Sequence, residues 1–224
     1  MGRFISKLRY LRARLRTRTH FHYRGLEIEV HPGVVNPTRF DASLYFAEIA
    51  LTEAPANATS VLELGCGCGL VSLLLAQAGH KVTAVDVDPK AVFNTATNIN
   101  HNHSFGAAVL LSDWDSALAD KRFAYVICNP PFLPGKTDGL DGAFNGGDKL
   151  SVLRAACAAV RARLDTEGRG LIITSSQTGR SEVLAMLAEL GFTLLATRKK
   201  RDFNEVYFAD VVGILSIEAS LATA

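Results

Sequence analysis

No apolar run in this chain approaches the roughly 20 residues that span a bilayer, because polar or charged residues break each stretch of Leu, Val and Ala. Its four cysteines offer no secretory disulfide framework: Cys66 and Cys68 are too close for an ordinary bridge, and Cys128 and Cys157 stand alone. A zinc site would need a second ligand pair at usable spacing, and the sequence holds none. The six histidines show no ligand spacing either. Acid is missing from residues 1–24, which carry eight of the 24 Lys and Arg. The remainder then holds sixteen basic against 22 acidic residues, a balance of −6. Arginines interrupt every apolar stretch of this basic arm, which excludes a signal peptide, and serine is too scarce for a transit peptide. These scarcities predict no membrane span, no metal and a reducing, cytoplasmic setting.

What is present suffices for one sizeable core: 224 residues, 48% hydrophobic and 21% charged. The expected division is a basic arm with a lead-in segment over 1–52 and a body over 53–224. Phe4, Leu8, Leu11 and Leu15 recur at helical spacing between arginines, predicting a short amphipathic helix. Residues 21–40 read as an irregular or hairpin-like lead-in. Asp41 is placed to cap a helix with Leu44, Ala47 and Leu51 inward.

From residue 60 strands and helices alternate. Ser60–Leu64, Lys81–Val85, Ala107–Leu111, Phe123–Cys128 and Gly170–Thr174 read as strands. Helices follow the first two, one of them capped by Asp88, opened by Pro89 and carrying Val92, Ala96 and Ile99 on one face. A stripe of Leu150, Leu153, Cys157, Val160 and Leu164 predicts a longer helix, and Val183, Leu187 and Leu190 another. Two late strands, near Phe192–Thr197 and Val206–Ile217, are expected to pair antiparallel across a basic tip, Arg198–Arg201. Such alternation argues for a parallel α/β sheet covered on both faces. Ligands then bind beyond the carboxyl ends of the strands, so the residues just after each strand belong together.

After the first strand comes Gly65-Cys66-Gly67-Cys68-Gly69, with Leu70 where a dinucleotide fingerprint requires glycine. The spacing disfavours a pyrophosphate cradle and suits a nucleoside with an amino-acid tail. After the second strand, Asp86 can accept from both ribose hydroxyls, while Asp88 has the helix to cap. After the third, Asp113 can accept from an adenine amino group, with Trp114 beside it. After the fourth stands Asn129-Pro130-Pro131-Phe132. The Asn129 side-chain oxygen and the Pro130 carbonyl are two acceptors on a stiff frame, which suits the two donors of a planar NH₂ group. Phe132 offers a flat face for stacking. Asn36–Arg39 is expected to lie over the ligand as a lid.

Gly65–Gly69, Asp86 and Asn129–Phe132 resemble the signatures of class I S-adenosylmethionine-dependent methyltransferases that modify planar nitrogens. Ser112–Phe132, followed by Gly146-Gly147-Asp148, is most similar to the release-factor glutamine N5-methyltransferase (HemK-like) family. The resemblance covers about residues 55–217. It implies a Rossmann-like seven-stranded sheet with helices on both faces and the last two strands antiparallel to the rest. It also implies that Gly65, Gly67 and Gly69 line the methionine part of the cofactor, with Glu63 supporting the loop. Asp86 would hold the ribose and Asp113 the adenine. Asn129 and Pro130 would grip the substrate NH₂, with Phe132 stacked on it and no metal involved. The glutamine-modifying family usually has Tyr at the last tetrad position, whereas Phe is frequent in relatives acting on adenine or guanine amino groups of RNA. That family's N-terminal helical domain has no counterpart in the residues before the core.

Three substrates fit these features: a protein glutamine amide, a base amino group in ribosomal or transfer RNA, or a small planar amine. For RNA or the translation machinery, the basic arm and Arg198–Arg201 would supply phosphate contacts. A cofactor-binding interaction protein without transfer is the non-enzyme alternative, and the intact tetrad argues against it. Leu70 and the tetrad argue against a dehydrogenase.

Overall fold

The computed structural model describes residues 18–133, 147–202 and 205–214. The helix expected over residues 4–15 lies outside them, as do residues 134–146 of the loop before Gly147. The lead-in folds as a hairpin of β1 (Thr19–Tyr23) and β2 (Leu26–Val30), then a single 3-10 turn over Pro37–Arg39 and helix α1 (Asp41–Glu53). The alternating part follows as β3 (Ser60–Leu64), α2 (Leu70–Gln77), β4 (Lys81–Asp86), α3 (Pro89–His101), β5 (Ala107–Leu111) and β6 (Phe123–Cys128). It ends with α4 (Ser151–Arg163), β7 (Leu164–Ser175), α5 (Arg180–Glu189), β8 (Phe192–Asp202) and β9 (Glu205–Ile214).

Seven strands form one sheet in the order β5-β4-β3-β6-β7-β9-β8. The pairs among β3 to β7 are parallel. The expected antiparallel ending is present, and the reversal is carried by β9, which runs against both β7 and β8. The chain winds outward from β3 to β5 and then returns to β6 on the other side of β3. That change of direction opens a crevice beyond the carboxyl ends of β3 and β6, where the glycine loop and the tetrad lie.

Each face of the sheet buries its own core. On one face the hairpin's Leu26, Ile28 and Val30 join Phe46 of α1, Leu73 of α2 and Ile127 of β6. On the other, Leu153 and Val160 of α4 and Val183 and Leu187 of α5 close over Leu62, Val126 and Ile172. Residues 26–50 therefore share the core of the sheet.

Three local expectations change. Phe40, not Asp41, is the N-cap of α1, and no side chain caps it; Asp41 is the first helical residue, where a carboxylate still favours the positive helix end. The buried face of α3 carries Ala91, Asn94, Thr95, Asn98 and Ile99, not the stripe through Val92 and Ala96. That helix packs against backbone that needs hydrogen bonds, so carboxamides replace apolar groups. Asp88 caps it as expected, accepting from the Lys90 N–H at 2.9 Å. Finally, Arg198–Arg201 is not a tip: it belongs to β8, paired in register with Ala209 to Val206 of β9. Arg198 bonds Glu53 at 2.6 Å, and Lys200 lies 3.9 Å from Asp41. Period-2 alternation turns these two cations onto α1, which neutralises half of the basic run.

Candidate functional site: a cavity at the switch point

A cavity of about 540 Å³ lies beyond β3, β4 and β6. The glycine loop forms its floor. Gly65, Gly67 and Gly69 all have positive φ, at 78°, 58° and 84°, a region that disfavours side chains. A Cβ on Gly65 or Gly67 would meet nothing within 4 Å, whereas one on Gly69 would lie 2.8 Å from Thr95 Cγ2. The first two glycines thus keep the cavity clear, and Gly65 and Gly67 both line it. Gly69 was expected to line it too and is not among the lining residues. It serves the close approach of α3 instead, at the N-cap of α2.

Glu63 lies beneath the loop, buried, and accepts a hydrogen bond from the Ser72 hydroxyl. Burial pushes its carboxyl up to about 8; the Ser72 bonds oppose that, and the Asp86 charge adds to it. Asp86 ends β4. Its two oxygens accept from the backbone N–H groups of Gly67 and Asp88, both at 2.9 Å. Burial raises its pKa, and these backbone bonds pull the other way. Each oxygen retains a second lone-pair direction, so the carboxylate can still receive hydroxyl donors. Asp113 is exposed at the cavity wall, and Trp114 beside it is half-buried with φ 47°. Val87, 66% exposed, lines the wall next to Asp86; no motif singled it out.

At the other end, Asn129, Pro130, Pro131 and Phe132 all line the cavity. Among the described residues the Asn129 carboxamide has no hydrogen-bond partner, so both of its functions remain available. Phe132 is 8% exposed and packs into the core beside Leu133. Its carbonyl accepts from the Thr178 hydroxyl at 3.0 Å, and that hydroxyl in turn accepts from the Ser175 N–H at 3.3 Å. The tetrad is therefore tied to the end of β7 as well as to β6. The prolines and this tie hold the acceptor corner in place before any ligand arrives.

Most of the roof comes from residues no motif marked. Val34, Phe40 and Phe46 of the lead-in, with Pro37 of the expected lid, close the cavity from the hairpin side, and Val152 and Tyr207 stand at the far end. The expected lid over Asn36–Arg39 is thus present in part: Pro37 reaches the wall, while Asn36 is spent capping the 3-10 turn through the Thr38 N–H at 2.9 Å. Asp86, Asp88 and Asp113 line the cavity beside the buried carboxyl of Glu63, which keeps its proton below about pH 8, and no Lys or Arg among the described residues does. Such a lining favours a cation or a neutral guest. The site thus fits the cationic amino-acid nucleoside S-adenosylmethionine: open glycines on the floor, a carboxylate with spare acceptor capacity at the second strand end, and net negative walls. The four thiols are buried, and burial pushes Cys68 and Cys157 up to about 12. They are held neutral and inert. No helix among the described residues is long and apolar enough to cross a membrane.

Comparison with known proteins agrees with this geometry. A family model described as the methyltransferase small domain matches residues 25–202. A putative protein N5-glutamine methyltransferase of Methanocaldococcus jannaschii is 31% identical over 193 residues, covering 81% of this chain and 93% of that one. The release factor glutamine methyltransferase of Escherichia coli is 38% identical over 115 residues, but these span 50% of this chain and only 40% of the relative. Among solved structures, the 16S rRNA N2 G1207 methyltransferase of T. thermophilus, in complex with AdoMet and guanosine, superposes with a TM-score of 0.62 at 25% identity. That superposition covers 87% of this chain and 50% of the other. The chain belongs to the methyltransferase small domain family and is an S-adenosylmethionine-dependent methyltransferase.

Proposed function

We propose that this methyltransferase acts on a planar nitrogen, the side-chain amide of a protein glutamine. The observation that carries the reading is that the Asn129–Pro130 corner and the Gly65–Gly67 floor open onto one cavity whose described lining holds carboxylates and no cation. An uncharged amide enters such a site without demanding a phosphate partner. Two cations of the β8 run are committed to α1, which removes half of the charge that a nucleic acid would use there. The relative spanned to 93% of its length carries the same activity in its name.

S-adenosylmethionine supplies an electrophilic methyl group on a sulfonium. Gly65 and Gly67 leave room for its amino-acid part, with Glu63 bracing the loop from below. Asp86 holds the ribose and Asp113 the adenine edge, with Trp114 and Val87 at its borders. Asn129 Oδ1 and the Pro130 carbonyl each accept one N–H of the substrate amide, fixing the nitrogen with its lone-pair direction turned toward the donor. Phe132 supports the amide plane. On transfer the new nitrogen–carbon bond would form as the carbon–sulfur bond breaks, leaving neutral S-adenosylhomocysteine, and one N–H proton would pass to water, so the product keeps one donor for two acceptors. The corner thus holds product less well than substrate, which assists release.

A base amino group in RNA is the second reading. Phe132 in place of Tyr favours it, as does the structural likeness to the guanosine-bound rRNA enzyme. Labelled methyl transfer from S-adenosylmethionine into a lysate fractionated into protein, RNA and small molecules separates the readings. Label in protein, released on hydrolysis as methylated glutamine, supports the first; label confined to RNA overturns it. Asn129→Ala is expected to keep S-adenosylhomocysteine affinity while losing at least about a hundredfold in kcat, since it removes one of two positioning acceptors. Unchanged turnover would remove Asn129 from the mechanism.

A further inference from the structure

Helix α3 carries Asn94 and Asn98, and its C-cap is Asn102. Their carboxamides serve the open edge of β2 in succession. Asn102 Oδ1 accepts from the Glu27 N–H at 2.9 Å, Asn98 Oδ1 from Glu29 at 3.0 Å and Asn94 Oδ1 from His31 at 2.8 Å. Their amide nitrogens donate back to the carbonyls of Glu27 and Glu29 at 2.8 Å. Four residues of helix rise about 6.0 Å and two residues of strand about 6.8 Å, so the two repeats stay nearly in step over three rungs. Asn102 Nδ2 also donates back to the carbonyl of Asn98 at 2.9 Å, within the same segment. Asn98 alone of the three reaches the glycine loop: its Nδ2 also donates to the carbonyl of Cys68, at 2.8 Å. One turn earlier, Thr95 Oγ1 donates to the carbonyl of Gly67 at 3.0 Å. Asn98 and Thr95 are both fully buried.

We infer that Asn98 and Thr95 are positioning residues for methyl-donor binding, which hold two successive carbonyls of the glycine loop against α3 while Asn98 fixes the lead-in wall. Neither residue lines the cavity; both act through the loop. A trans peptide directs its C=O and N–H to opposite sides. Drawing the Gly67 and Cys68 carbonyls onto α3 therefore turns the N–H groups of Cys68 and Gly69 away from it. It also keeps two acceptor oxygens from swinging into a cavity already lined by carboxylates. Glu29, the other partner of Asn98, lies two residues before His31, whose carbonyl anchors Val34 of the roof at 3.1 Å. Asn98 thus spaces floor from roof, and Asn102, which makes the same two bonds to the hairpin without touching the loop, does not.

The inference rests on the assignment of this cavity to the methyl donor, and the test separates the two. Binding of S-adenosylhomocysteine is measured by calorimetry on the full chain and on Asn98→Ala, Asn102→Ala, Thr95→Val and Thr95→Ser, with melting temperatures in parallel. Asn98→Ala and Asn102→Ala each lose two hairpin bonds and are expected to lower the melting temperature similarly. Only Asn98→Ala and Thr95→Val are expected to weaken donor binding, by about tenfold or more, the equivalent of one buried hydrogen bond. Thr95→Ser, which restores the hydroxyl, should return to within about threefold of the parent. In turnover, the loss should fall on the KM of S-adenosylmethionine and not on that of the acceptor. Donor affinity in Thr95→Val equal to the parent, or an equal loss in Asn98→Ala and Asn102→Ala, overturns the inference. Should Asn98→Ala fail to fold, the isosteric Thr95→Val with its serine rescue decides alone. Absence of binding by the parent chain itself would instead overturn the donor-site assignment.

Discussion

Glu63 illustrates how one side chain can make binding depend on pH. Its carboxyl titrates near 8 in the folded chain because it is buried, against 4.5 when exposed. The folded state therefore holds a proton that the unfolded state has released between those values. By linkage, the stability that Glu63 contributes is full below about pH 4.5 and is lost as pH rises toward 8. Glu63→Gln should flatten that slope: the fall in melting temperature from pH 6 to pH 9 should be smaller than in the parent, and an equal fall would refute it. A cationic donor beside Glu63 favours the ionised form. Binding at pH 7 should then release protons, seen as a heat that varies with the ionisation enthalpy of the buffer. Gly69 gives a second prediction at this scale. Gly69→Ala places a methyl 2.8 Å from Thr95 Cγ2 at φ 84°, and should cost about 1–3 kcal/mol of stability, measured by denaturant unfolding.

At the scale of elements, the edge of β2 would be unsatisfied without α3. Asn94→Ala removes two bonds to a buried edge and is expected to cost about 2 kcal/mol, since the buried His31 N–H loses its acceptor while the Glu29 carbonyl keeps only Asn98. Hydrogen exchange of the His31 amide, faster in the variant, reports the same loss. The regular elements were legible beforehand for a physical reason: β3, β4 and β6 are short apolar runs bounded by glycine, aspartate or proline, and Asp88-Pro89 is a local start signal. The buried face of α3 was not legible by hydropathy, because it is polar; the i, i+4 repeat of Asn94, Asn98 and Asn102 was the available sign. Nor was the full reach of β8 foreseen. Arg198 and Lys200 look like a solvated turn until α1 supplies Glu53 and Asp41, and those partners are about 145 and 159 residues away in sequence. The floor and the acceptor corner of the site could be read from motifs because each follows a strand end. The roof could not, since Val34, Phe40 and Phe46 carry no chemistry that distinguishes them from core residues.

Taken whole, the molecule places a negatively lined cavity on a chain whose formal charge is +2. S-adenosylhomocysteine at a hundred times its Kd should stabilise the folded state by about 2.7 kcal/mol, seen as a rise in melting temperature. Deletion of residues 1–17 tests the basic arm directly. If the arm contacts phosphates, RNA affinity at low salt falls and its salt dependence becomes shallower; equal affinity before and after deletion assigns the arginines to solvent. Because floor and roof share one core, substitutions at Leu26 or Ile28 should loosen donor binding along with stability, although neither residue lines the cavity.

The asparagine ladder also governs how the chain can change over time. A single residue inserted or deleted between Asn94 and Asn102 rotates everything beyond it by about 100°, and the rungs past that point would face away from the hairpin. Length in this short stretch is therefore frozen, while its outward position Asn100 stays free to vary. The rungs form a molecular ruler: composition can drift, spacing cannot.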